Sequence, residues 1–237
     1  MLNQDAHGRT EDNCARKFES ADFDEECTAL AQYLLGKVLV RKSSDGQLLK
    51  GVIVETEAYL GGEDKASHSY NGKITARNRP MYEPPGTSYV YAIYGMYHCM
   101  NISSRGAGSA VLIRALEPME NVESMLKNRM ASARSKNKSS EKNARIREED
   151  LCRGPSKLCM SFDITKKLNN IFMPASAELW VEHPVLPSSF VIVQCPRIGI
   201  DKCGAEWASK NLRFYIFGNE CVSKRDKNCE KLCAPSI

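Results

Sequence analysis

Two glutamates, Glu55 and Glu57, interrupt an apolar run that opens with Val52-Ile53-Val54 and closes with Ala58-Tyr59. A carboxylate in that setting is either paired or stands in a cleft, because unpaired buried acids are rare outside functional sites. Either glutamate could take a proton from water as a general base. The pattern leaves open which one does, and whether both are merely structural. Downstream, Arg114 stands alone between Leu112 and Leu116. A cation there must pair with a carboxylate, line a cleft or hold an anion. Tyr89, Tyr91, Tyr94 and Tyr97 cluster with Asn101 just before it. Two of these tyrosines read by default as core strand residues. Tyr94-Gly95-Met96-Tyr97 reads instead as a hairpin tip, where large apolar side chains face water unless something covers them. His68, in a polar loop, reads by pattern alone as an exposed loop histidine. Acid, arginine, aromatics and asparagine on successive strands are the makings of a polar, aromatic-lined pocket.

The elements that must position these groups follow from periodicity. Ala29, Leu30, Tyr33 and Leu34 predict a helix within Phe23–Gly36, with Gly36 as its stop. Lys37–Lys42 and Leu48–Tyr59 predict two strands joined by a tight turn at Asp45-Gly46. A period of two puts Ile53, Glu55, Glu57 and Tyr59 on one face. The stretch from Gly61 to Pro85 reads as a long polar loop, a length that is usually functional or disordered. Strands are predicted at Ser88–Tyr94, His98–Ser104 and Ala110–Leu116, then a helix over Glu117–Met130. Gly154-Pro155 marks another helix start. Glu178–Val181, Phe190–Gln194 and Leu212–Phe217 predict further strands. Residues 1–22 read as a flexible tail, residues 131–147 as a mobile basic insert and residues 219–237 as a charged tail. No linker splits residues 23–218, so one domain is expected.

The chain has 237 residues, 26% of them charged and 42% apolar, with a net charge of +4. That balance does not by itself demand nucleic acid. Its distribution says more: eight Lys or Arg and one acid lie between Lys127 and Arg147. Ten cysteines without an apolar leader point to a reducing compartment. With no long apolar span, no membrane association is expected. The cysteines form no CxxC pair, and no close histidine completes a zinc set with them, so neither a metal nor another cofactor is expected.

Ordered blocks along the chain carry a resemblance. Ile53-Val54-Glu55-Thr56-Glu57-Ala58-Tyr59-Leu60-Gly61, Thr75-Ala76-Arg77-Asn78-Arg79 and Pro85-Gly86-Thr87 resemble the alkyladenine (3-methyladenine) DNA glycosylase family. So do Tyr89-Val90-Tyr91-Ala92-Ile93-Tyr94-Gly95-Met96-Tyr97, Met100-Asn101-Ile102-Ser103-Ser104 and Leu112-Ile113-Arg114-Ala115-Leu116-Glu117-Pro118. Gly154-Pro155-Ser156-Lys157-Leu158 and Leu212-Arg213-Phe214-Tyr215 complete the set, in unbroken order from about Phe23 to about Gly218.

The resemblance implies a mixed α/β (α+β) single domain, with a central, largely antiparallel curved sheet, surrounding helices and a β-hairpin that inserts into DNA. It implies a monofunctional base-excision enzyme acting on double-stranded DNA that contains damaged purines. Its substrates would be 3-methyladenine, 7-methylguanine, ethenoadenine and hypoxanthine. By position, Glu57 matches the general base and Arg114 its neighbour. Tyr59, His68 and Tyr91 match the walls of a flipped-base pocket, and Asn101 the residue that crowds the 2-amino group of guanine. Tyr94 matches the wedge, with Met96 and Tyr97 beside it. A monomer is implied, nuclear in a eukaryotic host and otherwise cytoplasmic. Two features depart from the family pattern. His98 stands where an apolar or aromatic residue would pack, and its charge could make DNA binding pH-sensitive. The insert around Lys136–Lys142 is longer, and either adds phosphate contacts or is disordered. Two other classes compete: a lesion-binding module without catalysis, and a small-molecule hydrolase built on Glu55 and Glu57. The second leaves the aromatic hairpin unexplained.

Overall fold

The computed structural model describes residues 15–134, 146–185 and 189–233. Its trunk is β2 (Leu48–Tyr59), the strand that carries both glutamates. Along one edge β2 pairs with β5 (Ala110–Glu120). Along the other edge its partner changes. β1 (Val38–Lys42) flanks the first half, and β8 (Arg213–Ile216) flanks Glu55, Thr56 and Glu57. Beyond β5 lie β4 (Tyr97–Ser103) and then β3 (Ser88–Ile93), beyond β1 lies β6 (Leu179–Glu182), and β7 (Ile192–Cys195) pairs with β8. These pairings are all antiparallel. The result is one curled sheet in a mixed α/β domain, as expected.

Around it sit α1 (Ser20–Phe23), α2 (Cys27–Tyr33), α3 (Val122–Arg134), α4 (Pro155–Ser161), α5 (Ala205–Ser209) and α6 (Lys227–Cys233). Helices α2 and α4 cover one sheet face. There Leu30, Leu34, Leu158 and Phe162 join Ile53, Ala58 and Ile113 in the main core. Each leucine, isoleucine or phenylalanine side chain among these contributes about 1.5–3 kcal/mol when fully buried. On the other face, Val54, Ala115, Val193, Tyr215 and Val222 form a second cluster.

The pairing ladder sets the site. Tyr89 lies opposite Asn101, Asn101 opposite Leu112, Leu112 opposite Glu57, and Glu57 opposite Arg213. Cross-strand partners point to the same face, so four strand pairings bring distant polar residues into one row.

Four expectations need correction. Ile53 does not share the face of Glu55, Glu57 and Tyr59. The register of β2 against β5 shifts between Ile53 and Glu55 and again between Glu55 and Thr56. An extra residue in a bulge flips the alternation. Ile53 therefore faces the main core, and the Thr56 hydroxyl bonds the Ala31 carbonyl of α2. Secondly, Glu117–Glu120 is strand, not helix, because Gly51 and Lys50 hold Pro118 and Glu120 in the ladder. Helix α3 starts only at Val122, after Asn121 turns the chain with φ of 60°.

Thirdly, the chain beyond Gly218 is not a tail as far as Cys233. Cys221 and Val222 are buried, and the Tyr215 hydroxyl reaches Glu230 of α6 at 3.1 Å. The fourth concerns residues 15–22, which dock through Phe18, itself buried, whose N–H bonds the Val181 carbonyl. Of the basic insert, residues 131–134 finish α3, Ile146 packs on the core and Arg147 pairs with Asp150. The rest of it, with the two readings proposed for it, lies outside the described residues, as do residues 1–14 and 234–237.

Candidate active site

Glu57 is fully buried at the centre of the row. Its Oε1 accepts from the Ile198 backbone N–H at 2.7 Å. Its Oε2 accepts from the Tyr59 hydroxyl at 3.0 Å and faces an Arg114 guanidinium nitrogen at 3.1 Å. Three donors converging on two oxygens suit an ionised carboxylate, which accepts only. Glu55, the rival, is held differently. Its Oε1 meets Arg114 at 3.1 Å and Arg213 at 3.0 Å, and its Oε2 accepts the Ser223 N–H at 2.7 Å. Glu55 makes no contact with Tyr59 of the kind that Glu57 makes. It ties the two arginines together, and through Ser223 it ties them to the last part of the chain. The four side chains cancel in charge and are buried, the condition under which such groups are tolerated. Burial opposes the charge on Arg114, but Glu57 and Glu55 outweigh it and hold its pKa above the ordinary arginine value.

Beside this floor opens a recess of about 140 Å³ lined by Tyr59, Ala66, His68, Met81, Tyr89, Tyr91 and Asn101. The loop that supplies His68 is packed, not loose. Gly61 and Gly108 take φ of 71° and 75°, and a side chain on Gly61 would strike the Gly108 carbonyl. Asp64 makes a buried, two-pronged pair with Arg197 at 2.6 and 2.8 Å and accepts from the Leu60 and Ala66 N–H groups. Arg197 in turn lies 4.7 Å from the Tyr59 ring centroid and precedes Ile198, whose N–H holds Glu57.

The aromatic walls touch one another. The His68 ring stands 4.8 Å from that of Tyr91 and nearly perpendicular to it, and its Nδ1 lies 2.9 Å from the Tyr89 hydroxyl. Tyr89 and Tyr91 are 5.1 Å apart. His68 is exposed on its open side. Crowding by its neighbours, then the charge of Arg77, lowers its pKa, so the ring is neutral at pH 7. Burial pushes the Tyr89 phenol up to about 12 and the Tyr91 phenol higher still. Burial, followed by the Glu57 charge, raises the Tyr59 phenol. Asn101 donates its amide N–H to the Tyr89 carbonyl at 3.0 Å, which fixes the side chain at the recess edge.

The predicted site residues thus separate into two places. Tyr59, His68, Tyr91 and Asn101 line one recess, and Glu57 and Arg114 adjoin it through the Tyr59 hydroxyl that bonds Glu57. Tyr94, Met96 and Tyr97 lie at the far end of β3 and β4. Tyr94 is 88% exposed and Met96 56%, while Tyr97 is half-buried. The Met96 N–H closes the turn on the Ile93 carbonyl, with φ of 50° at Tyr94 and 71° at Gly95. His98, beside the tip, is half-buried, and burial lowers its pKa.

Ile198, Arg197, Asp64 and Arg213 escape the sequence reading. Arg213 had a signal: like Arg114, it is a lone arginine in an apolar strand, Leu212-Arg213-Phe214-Tyr215. Ile198 had none, since it acts through its backbone. Among the described residues no group of three or more His, Cys, Asp or Glu could hold a metal ion, and nine cysteines stand as free thiols.

Residues 21–220 match the model of the methylpurine-DNA glycosylase family. The chain belongs to this family. The DNA-3-methyladenine glycosylase of Mus musculus is 46% identical over 215 residues, which cover 90% of this chain and 63% of the mouse protein. That of Homo sapiens is also 46% identical, over 88% of this chain and 68% of the human protein. The chain therefore spans about two thirds of the length of these relatives.

Proposed function

We propose that this chain is a DNA-3-methyladenine glycosylase, which releases damaged purines from double-stranded DNA by hydrolysing the N-glycosidic bond. The observation that carries this reading is the position of Glu57, a buried carboxylate held by Arg114, Tyr59 and Ile198 at the side of an aromatic recess. The nucleotide is extruded from the duplex at a cost of a few kcal/mol, roughly. The hairpin tip wedges Tyr94 into the gap, with Met96 and Tyr97 against the neighbouring steps. The base enters between Tyr59, His68, Tyr91 and Tyr89, where stacking holds it. Asn101 at the edge crowds an exocyclic 2-amino group and so disfavours normal guanine.

Glu57 then takes a proton from water as the oxygen attacks the sugar C1′. The C1′–N bond breaks, and its electron pair leaves with the base. Arg114, 3.1 Å away, pairs with Glu57 and fixes its place for this step. A cationic base is already a good leaving group, whereas a neutral one needs a proton or a hydrogen bond from its surroundings. The product is a free base and an abasic site. No lysine is among the described residues that bond Glu57, namely Arg114, Tyr59 and Ile198, and this supports a reading without amine-based strand cleavage. The substrates in this reading are 3-methyladenine, 7-methylguanine, ethenoadenine and hypoxanthine, and the protein works as a monomer, in the nucleus of a eukaryotic host.

The test is base release from a duplex carrying one hypoxanthine or one ethenoadenine, read as alkali-dependent strand cleavage. The parent protein releases the base, and alkali then cuts the strand at the abasic site. Glu57→Gln binds the duplex but is slower by about 10²–10⁴-fold, the usual share of a general base. Tight lesion binding without release by the parent would instead make this a lesion-binding module.

A further inference from the structure

Resting on the glycosylase reading, we propose that Arg77 is a specificity-determining residue: its charge on the recess wall biases release against cationic purines and toward neutral ones. Its guanidinium carbon lies 4.8 Å from the ring centroid of Tyr91, which lines the recess. The placement is built, not incidental. The next residue, Asn78, is buried and knots the loop together. Its amide oxygen accepts from the Thr75 N–H at 2.7 Å and the Thr75 hydroxyl at 2.9 Å. Its amide nitrogen donates to the carbonyls of His68 and Lys73, both at 2.8 Å. The loop residue that walls the recess and the loop residue that charges its rim are therefore held by one side chain.

Arg77 differs from the other arginines around the site. Arg114, Arg197 and Arg213 each pair with a buried carboxylate. Arg77 makes no ion pair among the described residues, so its charge is not neutralised locally. Burial first, and then this charge, lowers the pKa of His68; at Tyr89 burial raises the phenol pKa and the Arg77 charge partly offsets that rise.

Two consequences follow for a base entering the recess. The π-face attraction that would draw a cationic purine to Tyr91 is already engaged by the guanidinium. A second cation brought to the same wall is repelled, while a neutral base meets no such opposition. The aromatic walls on their own would favour cations strongly; Arg77 levels that preference, so neutral lesions can compete.

The experiment compares single-turnover release of 7-methylguanine, a cationic base, with release of hypoxanthine, a neutral one. The proteins are the parent, Arg77→Gln and Arg77→Lys. Removing the charge raises the ratio of cationic to neutral release by about three- to tenfold, the range of one cation–π interaction. Arg77→Lys, which keeps the charge, holds the ratio near that of the parent. High salt raises the parent's ratio by screening an exposed charge and leaves that of Arg77→Gln flat. If Arg77→Gln slows both releases in proportion, Arg77 serves the DNA backbone instead and the proposal falls. An unchanged ratio also overturns it. A parent protein that is folded yet releases neither base refutes the glycosylase reading, and the proposal with it.

Discussion

The floor of the recess and the tip of the β3–β4 hairpin belong to one sheet but are built by opposite means. At the floor, Glu55 and Glu57 of the trunk strand, which is paired along both edges, meet Arg114 of β5 and Arg213 of β8 at distances near 3 Å, all four buried. At the tip, Tyr94 projects into solvent from a turn with positive φ, at the end of two strands and with Met96 exposed beside it. The difference suits the tasks proposed for the two regions. A group that must hold a water against one atom needs its geometry fixed in advance. A group that must enter a large, deformable partner gains its contacts only there, and packing it in the free protein would waste it. Order at the floor and exposure at the tip are two halves of one design.

The sharpest way to break the comparison is at Glu55. Glu55→Gln leaves Arg114 and Arg213 facing each other without their shared anion, and removes the charge that the Ser223 N–H serves. Breaking a buried pair on one side costs about 3–5 kcal/mol. Urea unfolding should show a loss of that size, with base release reduced through Arg114. A loss under about 1 kcal/mol would mean the floor is no more rigid than an ordinary surface network.

A smaller effect concerns the wall. The pKa of His68 in the folded protein lies below its ordinary value, first through crowding and then through Arg77. In the window below about pH 6.5 the unfolded chain binds more protons at this position than the folded one does, so stability rises with pH there. The contribution is complete above the ordinary histidine pKa and is lost as pH falls through the window to the folded value. Unfolding midpoints of the parent should decline as pH drops toward about 5, and His68→Gln should flatten that part of the curve. A decline of the same size in His68→Gln would assign it to other groups.

How much of this could be read beforehand depends on what each feature rests upon. The bounds of β2 and the hairpin between Tyr91 and Cys99 were legible because local alternation and turn residues fix them. Arg114 was legible because a lone charge in an apolar strand demands a partner. The bulge in β2 was not, since register is settled by β5, β1 and β8, which lie far off in sequence. That one shift decides which side chains accompany Glu57. The docking of residues 219–233 was hidden for another reason: only Cys221, Val222 and Glu230 are buried there, too few to make a period. The Ile198 N–H on Glu57 is a backbone contact, and no residue type signals it. Periodicity alone could not separate Glu57 from Glu55, because both sit in the same apolar run; the resemblance singled out Glu57 by position.

The tip offers the last and smallest change in stability, and it sharpens the comparison most. Tyr94 holds φ of 50° with its ring in water. For a residue with a Cβ that conformation costs about 1–2 kcal/mol, and an exposed ring returns little by burial. Glycine accepts the same φ freely but gives the unfolded chain more freedom, worth about 0.4–1 kcal/mol in the other direction. Tyr94→Gly should therefore leave the protein as stable as the parent or up to about 1 kcal/mol more stable, by urea unfolding. Its affinity for a lesion duplex and its rate of base release should both fall, while Glu57 and its partners stay in place. A gain in stability with a loss of function is the signature of strain kept at a working site. If release and binding were unchanged, Tyr94 would not be the wedge. If stability fell by more than about 1 kcal/mol, the ring would be packing in the free protein, and the contrast between tip and floor would be lost.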